Sequence, residues 1–272
     1  LSINIGSTPQ MSQVDRAAEH AVAVKPIHLF TQRWLALLER VQRHAGKTRI
    51  AIVGAGAGGV ELTPAMQYRL RRELQALGRD PNDLSFHLFS SDANILSTHN
   101  RRVRRSFERV LGERQVVLHT RSEVTRVGAA SLQTADGEVQ AMDEIVWVTQ
   151  AGGAPWLRQT GLALDGAGFI QVNQHLQSLS DPHVFAAGDI ASLMHRTLEK
   201  AGVFAVRQGK PLAANLRRSV QGAPLLSYRP QRHWLALIST GDKHAVASRG
   251  PLSWQGDWVW RWKDWIDRRV MN

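Results

Sequence analysis

The chain has 272 residues, 43% of them apolar, enough for one large domain or two modest ones with a real core. Its net charge of +11 comes mostly from scattered arginines, and no nucleic-acid-binding motif accompanies it, so nucleic acid is not an expected partner. The absence of cysteine excludes disulfides, thiolate metal sites and any dithiol redox relay; no apolar run reaches membrane-spanning length, and a cytoplasmic location is expected.

In chain order, Leu1 to Gly6 is strand-like and ends in a turn cluster, and residues 10–30 read as irregular. Thr31 to His44 carries Trp34, Leu35, Leu38 and Val41 at helical spacing. Ile50 to Val53 is a short apolar run that reads as a buried parallel strand. It leads straight into Gly54-x-Gly56-x-x-Gly59, with Gly58 inside the same turn, and then a helical pattern through Leu77 that Pro64 interrupts early. Strand, glycine turn and helix in that order make a diphosphate cradle: a tight turn, a close backbone approach and free N–H groups at a helix start. Phe86 to Phe89 is a second buried strand, Arg101 to Gly112 a helix and Val116 to His119 a third strand. The arginine clusters at 69–72 and 101–105 read as solvated helix faces. Val124 to Val127, Ser131 to Thr134 and Glu138 to Gln140 are short alternating stretches, the last two joined by the hairpin signal Asp136-Gly137, and Ile145 to Val148 is again a buried strand. Gly168 to Val172 alternates as a strand. Val184 to Asp189 is an apolar strand ending in Gly188-Asp189 before a supposed helix, where Asp189 serves either as an N-cap or as an acceptor for ribityl or ribose hydroxyls.

These motifs resemble the pyridine nucleotide-disulfide oxidoreductase superfamily of flavoproteins with two dinucleotide-binding domains, and within it the type II NADH dehydrogenase-like branch. Gly54 to Glu61 is similar to that family's NAD(P)H fingerprint, Val184 to Asp189 to its late FAD motif, and Ile3-Asn4-Ile5-Gly6-Ser7 to its Ala-Thr-Gly-type strand. Matches extend through Trp156 to Asp165 and Lys200 to Gly209, the latter a helix that in the family points at the flavin. Tyr228 to Gln231 and the tryptophan-rich tail also resemble the flavoprotein module fused to selenide, water dikinase, which implies a fused selenophosphate synthetase domain as partner.

The resemblance implies an α/β fold: a Rossmann-like NAD(P)-binding βαβαβ domain with an antiparallel β-meander, plus an incomplete FAD-binding domain and a C-terminal hairpin and helix. Residues 1–45 would be a remnant of the FAD domain with a connecting helix, 46–150 the NAD(P)H domain, 151–222 the C-terminal part of the FAD domain and 223–272 the hairpin and helix. It implies FAD and NAD(P)H as cofactors, hydride transfer to flavin and delivery to a quinone or other small acceptor. Gly6, Gly54, Gly56, Gly58, Gly59, Ser90, Gly152, Gly188, Asp189, Lys200 and Phe204 would then contact cofactors. Glu61 would lie near the nicotinamide–flavin junction in a positioning role, or else be a helix-start glutamate and nothing more.

Three departures accompany the resemblance. The family's opening FAD βαβ unit, which needs about 30 residues, has no counterpart, so a fragment is expected, colourless or substoichiometric in FAD and inactive alone. Ser90 stands where an acidic residue would favour NADH, with Asp92 two residues on and Arg101 and Arg102 as candidates for a 2′-phosphate, so NADH and NADPH both stay open. Val148-Thr149-Gln150 replaces an Ala-Thr-Gly pattern, with glycines only at 152 and 153. In the tail, Gly241-Asp242 joins two alternating stretches, and Trp254, Trp258, Trp262 and Trp265 recur at helical spacing beside basic residues. Such a face suits peripheral contact with a membrane, or docking on the hairpin or on a second subunit in a homodimer. A non-catalytic nucleotide-binding module is the alternative to an oxidoreductase.

Overall fold

The computed structural model describes residues 1–44, 46–149 and 151–271, with side chains through residue 269; Ala45, Gln150 and Asn272 lie outside that description. Strands β1 (Ser2–Ile3) and β2 (Thr8–Pro9) precede a one-turn helix α1 (Ala17–His20), strand β3 (Val22–Ala23) and helix α2 (Ile27–Arg43). Strand β4 (Thr48–Val53), helix α3 (Ala57–Ala76), strand β5 (Leu84–Phe89), helix α4 (Arg101–Glu113) and strand β6 (Val116–His119) then alternate. Strands β7 (Val124–Gly128), β8 (Ser131–Thr134), β9 (Val139–Ala141) and β10 (Glu144–Trp147) follow. After them come β11 (Ala151–Gly152), β12 (Ile170–Val172), β13 (Phe185–Ala186), β14 (Ala191–Leu193) and helix α5 (Gly202–Val220). The chain closes with β15 (Ala236–Ser239), β16 (Ala245–Arg249), β17 (Leu252–Gly256) and helix α6 (Asp257–Met271).

These elements form two compact units, one of Leu1–Gln10 with Ala151–Arg232 and the other of Met11–Gln150 with His233–Asn272. Contacts therefore group residues 11–44, and the hairpin and helix after 232, with the nucleotide-type sheet, where the sequence suggests breaks at 45/46 and 222/223.

The larger unit is built on a parallel sheet in the order β3-β10-β4-β5-β6. Parallel neighbours need crossovers, and α3 and α4 supply those between β4, β5 and β6. Because side chains alternate across a strand, Ile50, Ile52, Phe86 and Leu88 bury on one face with α2, α3 and α4. Ala51, Val53, Phe89, Ile145 and Trp147 bury on the other, beneath the meander β7-β8-β9, with Val124, Val127 and Leu132. Helix α4 shows the link from sequence to packing: Val103, Phe107 and Leu111 recur every fourth residue and are fully buried. The Asn100 side chain caps its start, accepting from the amides of Arg102 and Val103 at 3.0 and 3.1 Å. The antiparallel sheet β15-β16-β17 sends Ile238 and Val246 into the core shared with α2, α3 and α4, while Ala245 and Ala247 receive Val259 of α6.

Several sequence expectations need correction. Residues 10–30 are not wholly irregular: Val22 and Ala23 pair with Val146 and Trp147 as an edge strand, and α2 starts at Ile27, directly after Pro26 at the N-cap. Helix α3 continues through the buried Pro64. Gly188–Ile190 is a single 3-10 turn leading into strand β14, so no helix follows Asp189 and Asp189 is no N-cap. Trp254 lies in β17, opposite Ala247, and not on the helix with the other three tryptophans.

The smaller unit pairs β1 with β13 and β12 with β14 in parallel, and β2 with β11 in antiparallel fashion. Phe169, Ile170, Val172, Leu176, Phe185 and Leu212 fill its core.

Candidate functional site

At the C-terminal ends of β4, β5 and β10 lies a crevice of about 320 Å³. Gly54, Ala55, Gly56, Gly58 and Gly59 form its floor. Gly54 has φ +117°, which a side chain rarely adopts, and a Cβ there would sit 2.8 Å from Cβ of Thr149. Gly59 is fixed by close approach: a Cβ would stand 1.7 Å from the Gly54 carbonyl oxygen. A Cβ on Gly56 would meet nothing within 4 Å, so the chain leaves open space above that residue. The first intrahelical bond of α3 runs from the Val60 amide to the Gly56 carbonyl at 3.0 Å. The amides of residues 57–59 therefore have no partner within the helix, and no side chain caps the N-terminus. Unsatisfied amides under open space, at the positive end of a 20-residue helix, fit a diphosphate.

The crevice walls differ in character. On the β10 side stand Trp147, Val148 and Thr149; on the β5–β6 side stand Ser90, Ser91, Asp92, Ser97, Ser122 and Glu123. Ser90 is thus where the sequence places it, nearly buried at the end of β5. Neither Arg101 nor Arg102 lines the crevice.

Glu61 does not line it either. One oxygen of its carboxylate accepts from the Ser239 amide at 3.0 Å and lies 3.5 Å from Nζ of Lys263 on α6. Burial works against the Lys263 ammonium, but the Asp267 and Glu61 carboxylates outweigh it and hold its pKa above that of a free lysine. The turn after β15 sits on the same helix, since a Cβ on Gly241 would come within 2.6 Å of the Pro64 carbonyl carbon. Asp242 pairs with Arg114 at 2.6 Å. The first turns of α3 are thereby fastened to the C-terminal sheet and α6.

Other expected cofactor residues fall in the smaller unit. The Ser7 hydroxyl donates to Asp189 at 3.1 Å, and Gly6 has φ +73° with open space around its Cβ position. Gly188 has φ +75°, and its amide donates to the buried Gln208 of α5 at 2.6 Å. Phe204 is buried in the first turn of α5. Lys200 precedes that helix; its Nζ donates to the Ala191 carbonyl at 2.9 Å and lies 3.7 Å from the centre of the Phe169 ring. Burial lowers its pKa, against the opposing pull of Asp165 and Asp189. Gly152 belongs to β11, where a Cβ would collide with the Gln10 side chain.

Sequence reading missed Glu123 and Ser122 as crevice residues, because neither belongs to a motif. The available signal was topological: a β4-β5-β6 parallel order brings whatever follows β6 beside the end of β5. Among the described residues no group of three or more His, Asp or Glu side chains could hold a metal ion.

Comparison with known proteins adds the family. The model of the family described as pyridine nucleotide-disulphide oxidoreductase matches residues 3–209. The chain is 25% identical over 243 residues to the NADH dehydrogenase-like protein YutJ of Bacillus subtilis, covering 89% of this chain and 63% of that protein. It is 27% identical over 223 residues to the type II NADH:quinone oxidoreductase of Haemophilus influenzae, covering 77% and 50%. The chain thus spans between half and two thirds of the length of these curated relatives. Among solved structures, that of NDH2 from Plasmodium falciparum in complex with NADH superimposes with a TM-score of 0.80 at 13% identity, over 100% of this chain and 74% of that one, a likeness of fold.

Proposed function

The chain belongs to the pyridine nucleotide-disulphide oxidoreductase family, and from that premise we propose that it serves a flavin-dependent NAD(P)H oxidoreductase that delivers electrons to a quinone. The glycine-floored crevice carries this reading: the unpartnered amides at the start of α3 and the open space above Gly56 suit the diphosphate of a nicotinamide dinucleotide. The apolar wall of Trp147 and Val148 suits the nicotinamide half. Bound FAD would supply the hydride-accepting centre. In the smaller unit Gly6, Ser7, Gly188 and Asp189 fit part of such a cofactor, with open space at Gly6 and a carboxylate at Asp189 to take its hydroxyl protons. Lys200 and Phe204 flank the same turn by chain position, and Lys200 supplies a half-buried positive charge there. Glu61 we assign to positioning, since its carboxylate is engaged by Ser239 and Lys263.

The quinone is proposed because the type II relatives carry it in their names. We further propose peripheral attachment to a membrane through α6, where Trp258, Trp262 and Trp265 are exposed beside Arg261, Arg268 and Arg269 while Val259 points inward. Among the described residues no helix is long and apolar enough to cross a membrane. The Tyr228–Gln231 resemblance supports a fused selenide, water dikinase domain as a further partner.

Calorimetric titration of the folded chain with NADH and with NADPH tests the central reading; uptake of at least one is expected, and uptake of neither overturns it. Absorbance then reports flavin, and yellow material that bleaches on adding reduced dinucleotide supports the oxidoreductase over a non-catalytic module.

A further inference from the structure

Glu61 and the crevice floor share the start of one helix. Side chains on a helix lean toward its N-terminus, so a residue at position 61 lies over the turn formed by residues 57 and 58. Those residues carry free amides of α3. The Glu61 carboxylate is thereby held within about 10 Å, or two helical turns, of an anion bound there. A carboxylate so placed competes with that anion for the positive end of the helix and repels it.

The crevice itself supplies nothing to offset the repulsion. Its charged lining residues are Asp92 and Glu123, and no lysine, arginine or histidine lines it. Compensation comes from the last helix. Nζ of Lys263 on α6 lies 3.5 Å from the same Glu61 oxygen that accepts from the Ser239 amide, and 21% of the lysine side chain is exposed. Asp267, one turn further along α6, accepts from the same ammonium at 2.8 Å. The two acids keep the Lys263 pKa above that of a free lysine in spite of burial, so the ammonium is charged at neutral pH.

We propose that Lys263 is a positioning residue for dinucleotide binding: with the Ser239 amide it turns the Glu61 carboxylate out of the crevice, and it cancels that charge at the helix end where the diphosphate sits. The inference rests on the dinucleotide reading of the crevice and adds α6 to the residues that serve it. Unit charges about 10 Å apart, at an effective dielectric of about 20–40, shift a dissociation constant about fourfold to sixteenfold.

Titration of the full chain with NADH and with ADP-ribose, at low and at high salt, provides the test, with the variants Lys263→Met, Glu61→Gln and their combination. Lys263→Met should weaken both ligands at least about fourfold at low salt, and the loss should shrink as salt screens it. The double variant should return to within about twofold of wild type, because the charge that Lys263 cancels is gone. A merely structural joint would behave otherwise, since removing both partners leaves it as loose as removing one. Unchanged affinity in Lys263→Met, a double variant as weak as Lys263→Met, or a loss that salt does not reduce would each overturn the proposal. Should Lys263→Met fail to fold, Glu61→Gln decides alone: binding at least about twofold tighter than wild type supports the proposal, and equal or weaker binding overturns it. Uptake of neither ligand by folded wild type would instead remove the crevice reading on which it stands.

Discussion

Gly56 and Gly59 are two residues of one turn, and the structure predicts opposite consequences for placing a methyl group on each. At Gly56 the backbone angles (φ −71°, ψ −176°) are ordinary for any residue, and nothing lies within 4 Å of a Cβ. Gly56→Ala should therefore leave the melting temperature unchanged or slightly raised, because alanine at a compatible site stabilises by about 0.4–1 kcal/mol through the unfolded chain. The methyl group would nonetheless occupy space a diphosphate needs. Losing two amide–phosphate bonds at about 1.5–3 kcal/mol each costs at least about 3 kcal/mol, or roughly a hundredfold in Kd. At Gly59 the Cβ would begin 1.7 Å from the Gly54 carbonyl oxygen, so strand and helix must separate by more than 1 Å to admit it. Overpacking of this kind costs about 1–3 kcal/mol or more, and about 2–4 °C of melting temperature per kcal/mol at this domain size. Gly59→Ala should thus lower both stability and affinity, whereas Gly56→Ala lowers affinity alone. Melting by circular dichroism and NADH titration of the two variants separate these outcomes. Wild-type affinity in a normally folded Gly56→Ala protein would refute the assignment of that space to a diphosphate.

Stability should fall with acid on account of His87 and His119, neighbours on β5 and β6 with facing nitrogens 3.1 Å apart. Burial lowers the pKa of both; His119 and Arg49 lower that of His87 further, and Glu138 only partly opposes the shift at His119. A histidine whose folded pKa is depressed contributes stability above its unfolded pKa, near 6.5, and loses it as pH drops through the folded value. Melting temperatures from pH 8 to 5 should show that decline, and the pair of changes His87→Phe and His119→Phe should flatten it; the same slope in the variant would count against the pair. Glu61→Ala should cost about 1 kcal/mol, less than a fully buried charged hydrogen bond because the side chain is 34% exposed. Glu61→Gln, which keeps an acceptor for Ser239, should cost less than half of that; a large fall in kcat at unchanged melting temperature would show that Glu61 acts on the reaction and not on the joint. Flotation with anionic vesicles should carry the protein up, and Trp258→Ser with Trp262→Ser and Trp265→Ser should abolish it; self-association lost in the same variant, without flotation, would assign the tryptophan face to a second copy.

The glycine turn and the uncapped helix start behind it were legible because everything they need is contiguous: β4, its glycines and α3 follow one another, and each residue type has a local reason to be there. The tryptophan pattern misled for an equally local reason. A spacing of four is one helical turn and also two strand repeats, so Trp254 and Trp258 satisfy both periods, and only the pairing of Trp254 with Ala247 decides for the strand. The two-residue strand β3 is too short to show any period, and it exists through the free edge of β10. Asp189 followed an apolar strand and a glycine, as a helix start would, yet its carboxylate went to Ser7, which the sequence places 182 residues away. The same distance rule governs Glu61. Its position after the glycine turn suggests a role at the cofactor, but its fate is decided by Ser239, 178 residues on, and by a lysine on the last helix. Local sequence thus identifies the groups able to meet a ligand, and long-range pairing decides which of them remain free to do so. By that criterion Asp92 and Glu123, which line the crevice and have no side-chain partner among the described residues, are better placed to meet a ligand there than Glu61, which has two.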